Sequence, residues 1–201
     1  EIYHRTKNNM QVISSMLKMQ ARTTDNEFVK TTFMELNNKI KAMAMVHQKL
    51  YKAKDLSNIN LKEYIEDLLR LLRQSYGTQS KKININLDLN DVFILIDSAI
   101  PLGLILNELI SNALKHAFPE GREGELSISL NQDKDKVINI HLSDDGVGIP
   151  PGMDLRKTNS MGLYTMFSLI DYQLNGEVVY KTENGLKWHI KFKDDQYKRR
   201  V

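Results

Sequence analysis

The residues best suited to chemistry lie in one stretch, PLGLILNELISNALKHAF, at residues 101–118. Its apolar side chains recur every three or four residues, which predicts a helix. Glu108, Asn112 and Lys115 interrupt the pattern, so a carboxylate, a carboxamide and an ammonium share one helix face. Such groups can bind Mg²⁺ through oxygen and contact phosphate oxygens. A solvated polar stripe on an amphipathic helix is the alternative, and this helix alone does not decide between them.

A second motif, SDDGVGIPP at residues 143–151, follows an alternating run that predicts a strand over 137–142. A glycine turn after a strand brings the backbone close to another group, and an Asp there can accept a hydrogen bond from an exocyclic amine. The alternative is a turn with no binding role, which could have the same sequence. A third stretch, SMGL at residues 160–163, opens a helical run over 163–174, and a Gly at a helix start offers backbone N–H groups to phosphate.

The first 54 residues are predicted to form two helices, at residues 1–22 and 27–54, around a turn at 23–26 that is rich in N-cap residues. Apolar side chains recur near heptad spacing in the second helix. An antiparallel hairpin of this kind lacks a core of its own, so we expect it to pair with a second copy in a homodimeric four-helix bundle. The alternative is that the hairpin packs on its own C-terminal domain.

The remaining pattern predicts an α/β sandwich after a linker at residues 55–60, which puts a domain boundary near residue 58 and divides the chain into 1–57 and 58–201. A further helix is predicted at 61–76. Strands are predicted at 82–89, 92–96, 125–131, 137–142, 176–182 and 186–192. We expect the first two strands to form a hairpin over Asn90-Asp91, and the polar stretch at 150–160 to be a mobile lid in which Arg156 and Lys157 can reach phosphates. The fold class is therefore α+β.

Composition excludes several classes of protein. The net charge of +3 is too small to indicate nucleic-acid binding, and the absence of cysteine rules out disulfides and thiol chemistry. No apolar run reaches the roughly 18 residues of a membrane span. These features predict a cytoplasmic protein without a membrane segment. The chain opens inside a helical pattern, from which we expect a fragment of a longer protein.

Four motifs together resemble one family. NELISNALKHA, DDGVGIP and SMGLYTM are similar, in this order, to the N, first glycine and second glycine boxes of the histidine-kinase ATPase domain, whose fold DNA gyrase, the mismatch-repair ATPases and a heat-shock chaperone share. The N-terminal HRTKNNMQVISSML resembles the phosphoacceptor segment of HisKA-2 sensor histidine kinases. The resemblance covers essentially the whole chain, and it implies an ATP-dependent protein histidine kinase with Mg²⁺.

The resemblance also implies roles for particular residues. His4 would be the phosphorylated histidine and Glu108 a polarising carboxylate, while Asn112 would hold magnesium. The residues expected to contact the nucleotide are Asn112, Lys115, His116, Asp144, Gly146, Gly148, Ile149, Met161, Gly162 and Leu163. Arg5 stands where better-known histidine kinases carry a carboxylate next to the histidine, and Met161 stands where many relatives carry a glycine.

The expected partners are a response-regulator receiver domain, which takes the phosphoryl group on an aspartate, and an upstream sensory domain. His4 alone could equally be an ordinary surface residue. Two rivals are therefore kept: an ATPase or serine kinase of the same fold, and a dimeric scaffold that binds nucleotide without turnover.

Overall fold

The structure is a computed structural model that describes residues 2–52 and 58–194, with side chains described outside 2–4, 50–52 and 78–81. In these ranges the α-helices are α1 (Ile2–Thr23), α2 (Glu27–Lys52), α3 (Leu61–Lys81), α4 (Ile96–Asn112) and α5 (Met161–Ser168). The strands are β1 (Asn58–Asn60), β2 (Ile83–Leu89), β3 (Phe93–Leu95), β4 (Gly124–Gln132), β5 (Val137–Asp144), β6 (Glu177–Lys181) and β7 (Lys187–Lys193). The predicted α+β class is confirmed.

Helices α1 and α2 form the predicted antiparallel hairpin. Asn26 caps α2, because its side-chain Oδ1 accepts the backbone N–H groups of Phe28 and Val29 at 3.0 and 3.2 Å. Across the hairpin the Ser14 hydroxyl donates to Asn37 Oδ1 at 2.5 Å. This bond places residue 14 of α1 level with residue 37 of α2. Because the two helices run in opposite directions, residues whose numbers add up to about 51 lie at the same level along the hairpin. The predicted end of the second helix at residue 54 falls outside the described residues.

A five-stranded mixed sheet, in the order β2-β4-β5-β7-β6, is the base of the C-terminal part. Strand β2 runs parallel to β4, and the other neighbours are antiparallel. The inward-facing side chains of the three central strands are buried: Leu126, Ile128, Leu130, Ile138, Ile140, Leu142, Trp188, Ile190 and Phe192. Helices α3, α4 and α5 supply apolar residues of the same core, so the predicted sandwich is confirmed.

The predicted hairpin over Asn90-Asp91 is wrong. Strand β3 pairs instead with β1, with Asn60 opposite Phe93, while the Asn90 N–H extends the β2-β4 ladder by donating to Leu130 O at 3.0 Å. Residues 58–60, assigned to the linker, therefore belong to a small second sheet. Turn-forming residues indicate a change of direction, but the identity of the pairing partner depends on contacts remote in sequence.

The central helix α4 begins five residues earlier than predicted, at Ile96 rather than Pro101. Its start is stabilised from the far end of the chain, since Asp194 accepts the Leu95 N–H at 2.7 Å and the Ser98 hydroxyl at 2.5 Å. A proline favours the first helical turn, which made Pro101 the natural start from sequence. The carboxylate that stabilises the actual start lies about 100 residues away.

The hairpin also packs on the C-terminal part of its own chain, as the alternative prediction held. Ala42 and Val46 of α2 are completely buried in the common core, and the Tyr64 hydroxyl donates to Ala42 O at 3.4 Å. Other apolar side chains of the hairpin remain exposed: Val12, Ile13, Met16, Met19, Phe28, Met34 and Leu36. One face of α2 thus has its partner within the chain, and a separate apolar surface is left over. The domain boundary near residue 58 stays a prediction.

Candidate functional site

The polar residues of α4 lie at a junction between helices and not on a solvated stripe. The Glu108 side chain is 13% exposed, and its Oε2 lies 2.9 Å from Lys39 Nζ of α2. The Asn112 Nδ2 donates to Glu108 Oε1 at 3.3 Å. Because the amide nitrogen is used in this way, the Asn112 carbonyl oxygen is the atom left to bind a ligand.

A π-helical turn at Ala113–Ala117 continues α4. Within it the neighbouring side chains of Lys115 and His116 have different surroundings. The wider turn shifts the phase of the helix, a distortion that is frequent at functional sites. His116 faces a cavity, whereas the Lys115 ammonium forms an ion pair with Glu35 of α2. Burial, and next the charge of Lys115, lower the pKa of His116. This imidazole is therefore neutral at pH 7.

Asp144 ends β5 with a buried carboxylate, 6% exposed. Its Oδ1 accepts the backbone N–H groups of Gly146 at 3.0 Å and Leu186 at 3.3 Å, so Oδ2 is the oxygen that these bonds do not use. Burial raises the pKa of Asp144 from its usual range, while the two backbone bonds oppose that shift. Gly148 has a backbone φ of +69°, a conformation that glycine adopts without strain. The neighbouring Asp145 has a structural role, since its Oδ1 accepts the Glu125 N–H at 2.7 Å.

The start of α5 packs directly against α4. A Cβ atom at Gly162 would overlap the Glu108 carboxylate, so the close approach of the two helices requires glycine there. The Ser160 hydroxyl accepts the Leu163 N–H at 3.4 Å. The Leu163 N–H, one of the backbone donors expected to face phosphate, is therefore already engaged. The Met161 side chain is 84% exposed and is not among the residues that line the cavity.

These elements enclose a cavity of about 280 Å³ between α4, the turn after β5, the loop before α5 and β7. Six predicted site residues line it: Asn112, His116, Asp144, Gly148, Ile149 and Leu163. Glu108 and Gly146 are hydrogen-bonded to lining residues, Gly162 packs on Glu108, and Lys115 directly precedes the lining residue His116. The side chain of His4 lies outside the part of the chain that the structure describes, although its backbone belongs to α1.

Sequence reasoning missed several apolar residues of the cavity wall: Leu109, Ala113, Met153, Leu155, Leu186 and Trp188. Leu186 and Trp188 belong to the last hairpin, where the two-residue alternation marked inward-facing positions without telling which of them face the cavity. The wall is mostly apolar with one buried carboxylate, as is usual for a pocket that binds a small molecule.

The stretch at 150–160, which we expect to act as a mobile lid, is held in place at Leu155 and Arg156. Leu155 is buried, and its N–H donates to the Tyr180 hydroxyl at 3.1 Å. Arg156 donates to both oxygens of Asp171, at 2.8 and 3.3 Å, and lies over the Phe167 ring. Arg156 is thus held on α5 and the turn that follows it, so it is not positioned as a phosphate ligand.

Three histidines predict how stability depends on pH. Burial is the first cause that lowers the pKa of His47, His116 and His189. Below about pH 6.5 the unfolded chain therefore binds protons at these imidazoles more readily than the folded chain does, so stability should fall as pH drops below 6.5. The raised pKa of Asp144 has the opposite effect on stability, which increases as the pH falls through the range that starts above the ordinary pKa of 3.8.

Urea unfolding midpoints measured at pH 7.5 and 5.5 test this expectation. The midpoint should be lower at pH 5.5, and the difference should shrink when the three histidines are replaced by glutamine. A midpoint that is equal or higher at pH 5.5 would contradict the lowered pKa of these imidazoles in the folded chain.

Two family models match the chain. Residues 1–76 match a model described as histidine kinase, and residues 97–196 match one described as histidine kinase-, DNA gyrase B-, and HSP90-like ATPase. The second model contains all the residues that line the cavity. This match implies ATP binding. No helix in the described ranges is long and apolar enough to cross a membrane.

Similar proteins are found among characterised sequences and solved structures. The sensor histidine kinase PdtaS of Mycobacterium tuberculosis is 32% identical over 180 residues, which are 89% of this chain and 35% of that protein. Blue-light-activated histidine kinase 2 of Erythrobacter litoralis is 27% identical over 167 residues, 81% of this chain and 47% of that protein. The chain therefore spans about a third to a half of the length of these relatives.

The histidine kinase domain of the Erythrobacter litoralis EL346 blue-light activated kinase shares the fold with a TM-score of 0.76, at 20% identity, over 98% of this chain and 95% of that one. The fold, the cavity between the three motifs and the two family matches agree with one another. The chain belongs to the histidine kinases and is a catalytic core of that family.

Proposed function

We propose that this core binds ATP with Mg²⁺, transfers the γ-phosphoryl group to His4, and passes it on to an aspartate of a response-regulator receiver domain. The observation that carries this proposal is the convergence of Asn112, Asp144 and Leu163 on one cavity, from three motifs well separated in sequence. Its apolar wall and its few polar groups suit a nucleotide base with a phosphate tail.

Asp144 is suited to recognise the adenine. Its Oδ1 is fixed by two backbone N–H groups, so Oδ2 can accept a hydrogen bond from the exocyclic amine of the base. Ile149, Leu163 and Trp188 supply flat apolar surface around this point. A buried carboxylate with one oxygen already bonded accepts the amine in a single orientation.

The residues present fit a magnesium ion. Asn112 would hold it through Oδ1, because Nδ2 donates to Glu108, and Mg²⁺ bound to nucleotide commonly takes one or two protein oxygens together with phosphates and waters. When bound, the ion would supply positive charge that neutralises the charge developing on the phosphate oxygens. Lys115 and His116 adjoin this end of the cavity and can contact the phosphate tail.

His4 supplies the nucleophile in this proposal. The unprotonated nitrogen of a neutral imidazole attacks the γ-phosphorus in line, so an N–P bond forms while the bond from phosphorus to the ADP oxygen breaks. The other ring nitrogen then releases its proton to solvent. Glu108 would polarise the imidazole, because Arg5 stands where a neighbouring carboxylate could have acted. The phosphoryl group then moves from nitrogen to an aspartate oxygen of the receiver domain.

A homodimer is part of the proposal. The hairpin keeps a set of exposed apolar side chains on α1 and α2, and a cavity of about 520 Å³ opens between the two helices near their turn. A second hairpin can cover this surface in a four-helix bundle. The relatives named as sensor and blue-light-activated kinases support a sensory domain in a longer protein as the source of control. The proposed location is the cytoplasm.

Labelling with γ-phosphate-labelled ATP and Mg²⁺ tests the proposed reaction. The chain should incorporate label that is stable in base and labile in acid, as a phosphohistidine is, and should lose it to a receiver domain. Acid-stable label would favour a serine kinase of the same fold. Nucleotide binding with no label after hours would favour a scaffold without turnover, and release of phosphate without label would favour an ATPase.

A further inference from the structure

Helix α2 reaches the nucleotide end of the site with two charged side chains. The Lys39 ammonium lies 2.9 Å from Glu108 Oε2, and the Glu35 carboxylate forms an ion pair with Lys115. We refer to these four residues as the α2 latch. Neither Glu35 nor Lys39 belongs to any of the motifs that mark the site.

The geometry of the latch follows from helix periodicity. Glu35 and Lys39 are four residues apart and lie on one face of α2. Glu108 and Lys115 are seven residues apart, two turns along α4 and its π-helical end. Because the acidic residue precedes the basic one on both elements, the two pairs form together only when α2 and α4 run antiparallel. The pairs therefore fix one position of the hairpin on the ATP-binding part.

Partial burial makes these pairs stronger than ordinary surface pairs. The side chains of Lys39, Glu108 and Lys115 are 29%, 13% and 18% exposed, and that of Glu35 is 37% exposed. Solvent screens such pairs less than fully exposed ones. Tyr76 of α3 lies at the same junction, where burial raises the pKa of its hydroxyl.

The latch uses groups that the proposed reaction needs for other contacts. Lys115 cannot donate fully to phosphate oxygens while Glu35 holds it, and the Glu35 carboxylate would repel the phosphate tail. Glu108 cannot polarise an imidazole while its carboxylate is paired with Lys39. The docked hairpin and the bound polyphosphate thus compete for the same side chains.

The latch also lies away from the level of His4. The register set by Ser14 and Asn37 puts residue 4 of α1 level with residue 47 of α2. Lys39 precedes that level by eight residues, which corresponds to about 12 Å along the helix axis. With the latch closed, the metal- and phosphate-binding end of α4 is held toward the hairpin turn, away from the phosphoacceptor position of its own chain.

We propose that the α2 latch holds this kinase core in a resting position, and that nucleotide polyphosphate opens it by displacing Glu35 from Lys115. This inference rests on the proposed function. Opening the latch frees Glu108 and lets the ATP-binding part move along the hairpin. Glu35 and Lys39 are positioning residues here, acting through Lys115 and Glu108.

The first experiment measures binding of a non-hydrolysable ATP analogue with Mg²⁺ by calorimetry on the whole chain. Glu35→Gln should tighten binding roughly three- to tenfold, since the competing carboxylate is gone. Glu63→Gln is the matched control, because it removes the same charge from another ion pair between the hairpin and the ATP-binding part, Lys49 to Glu63 at 3.3 Å. The control should leave the affinity unchanged within about twofold.

A reversible tether separates opening of the latch from a simple loss of negative charge. The chain has no cysteine, so cysteines introduced at Lys49 and Glu63 can be joined specifically by a cleavable crosslinker that keeps α2 on α3. The tethered protein should bind the analogue at least about threefold more weakly and label His4 more slowly, and cleavage should restore both. The same cysteines blocked with a monofunctional reagent provide the control.

The outcomes distinguish the latch from the proposed function itself. Failure of the wild-type chain to bind the analogue at all would overturn both. Analogue binding and His4 labelling in wild type, with Glu35→Gln equal to Glu63→Gln and no effect of the tether, would overturn the latch alone. Tighter analogue binding in Glu35→Gln, combined with no effect of the tether on binding or labelling, would also overturn the latch. The higher affinity would then come from local electrostatics, without movement of the hairpin.

Discussion

Replacing His4 with glutamine is expected to remove acid-labile label from this chain, reducing it by roughly three orders of magnitude or more. Glutamine keeps a polar side chain on α1 but has no nitrogen that attacks phosphorus. In the proposed function His4 accepts the phosphoryl group and does not hold the nucleotide, so binding of a non-hydrolysable ATP analogue should be unchanged. The measurement is labelling from γ-labelled ATP, with calorimetry of the analogue on the same sample.

His47→Gln provides the matched control for this prediction. His47 lies on α2 at the level of residue 4, and burial lowers the pKa of its imidazole. The His47→Gln variant should keep labelling within about threefold of wild type. We interpret His47 as a polar residue at the edge of the hairpin and not as a second phosphoacceptor. Full labelling of His4→Gln, or loss of label in His47→Gln alone, would move the phosphoacceptor to a different residue.

Replacing Asp144 with asparagine is expected to weaken ATP binding by about 10- to 100-fold without unfolding the protein. The Asn carbonyl can still accept the N–H groups of Gly146 and Leu186. The amide nitrogen would then occupy the position of Oδ2 and face the adenine amine, donor against donor. Because burial raises the pKa of Asp144, a neutral side chain there should leave the free energy of unfolding at pH 7 equal or higher.

Asp145→Asn is the control next in sequence. Its carboxylate accepts the Glu125 N–H, a bond that asparagine can keep, and it does not line the cavity. ATP binding should therefore stay within about twofold of wild type. Calorimetry and urea unfolding on both variants check the pair. Equal loss of affinity in the two variants, or unfolding of Asp144→Asn, would contradict adenine recognition by Asp144.

Local sequence patterns predicted several of the helices and strands of this protein. The three- and four-residue recurrence in 101–118 and the strict alternation over 137–142 predicted α4 and β5, because burial against one core favours a single face of a helix or strand. Glu108 and Asn112 were recognised as neighbours from their spacing of four alone, and the hydrogen bond between them at 3.3 Å confirms this. Such features depend only on residues within a turn or two of each other.

Pairings between remote segments were decided by the tertiary structure. The turn signal at Asn90-Asp91 predicted a hairpin, but β2 runs parallel to β4 and β3 pairs with β1. Asp194 stabilises the start of α4 from the other end of the chain. Neither contact leaves a periodic trace in the sequence, because each one depends on two segments that meet only after the core has formed.

The charges around the site show the same division. The sequence by itself determined that Lys115 and Glu108 stand on the helix that carries the site, together with the motifs that assign the family. Only the tertiary structure decided that Glu35 and Lys39 face them, because opposite charges four residues apart on α2 are read from sequence as a pair within that helix. Packing of Ala42 and Val46 into the common core turns this face of α2 toward α4, and the long-range ion pairs follow from that burial.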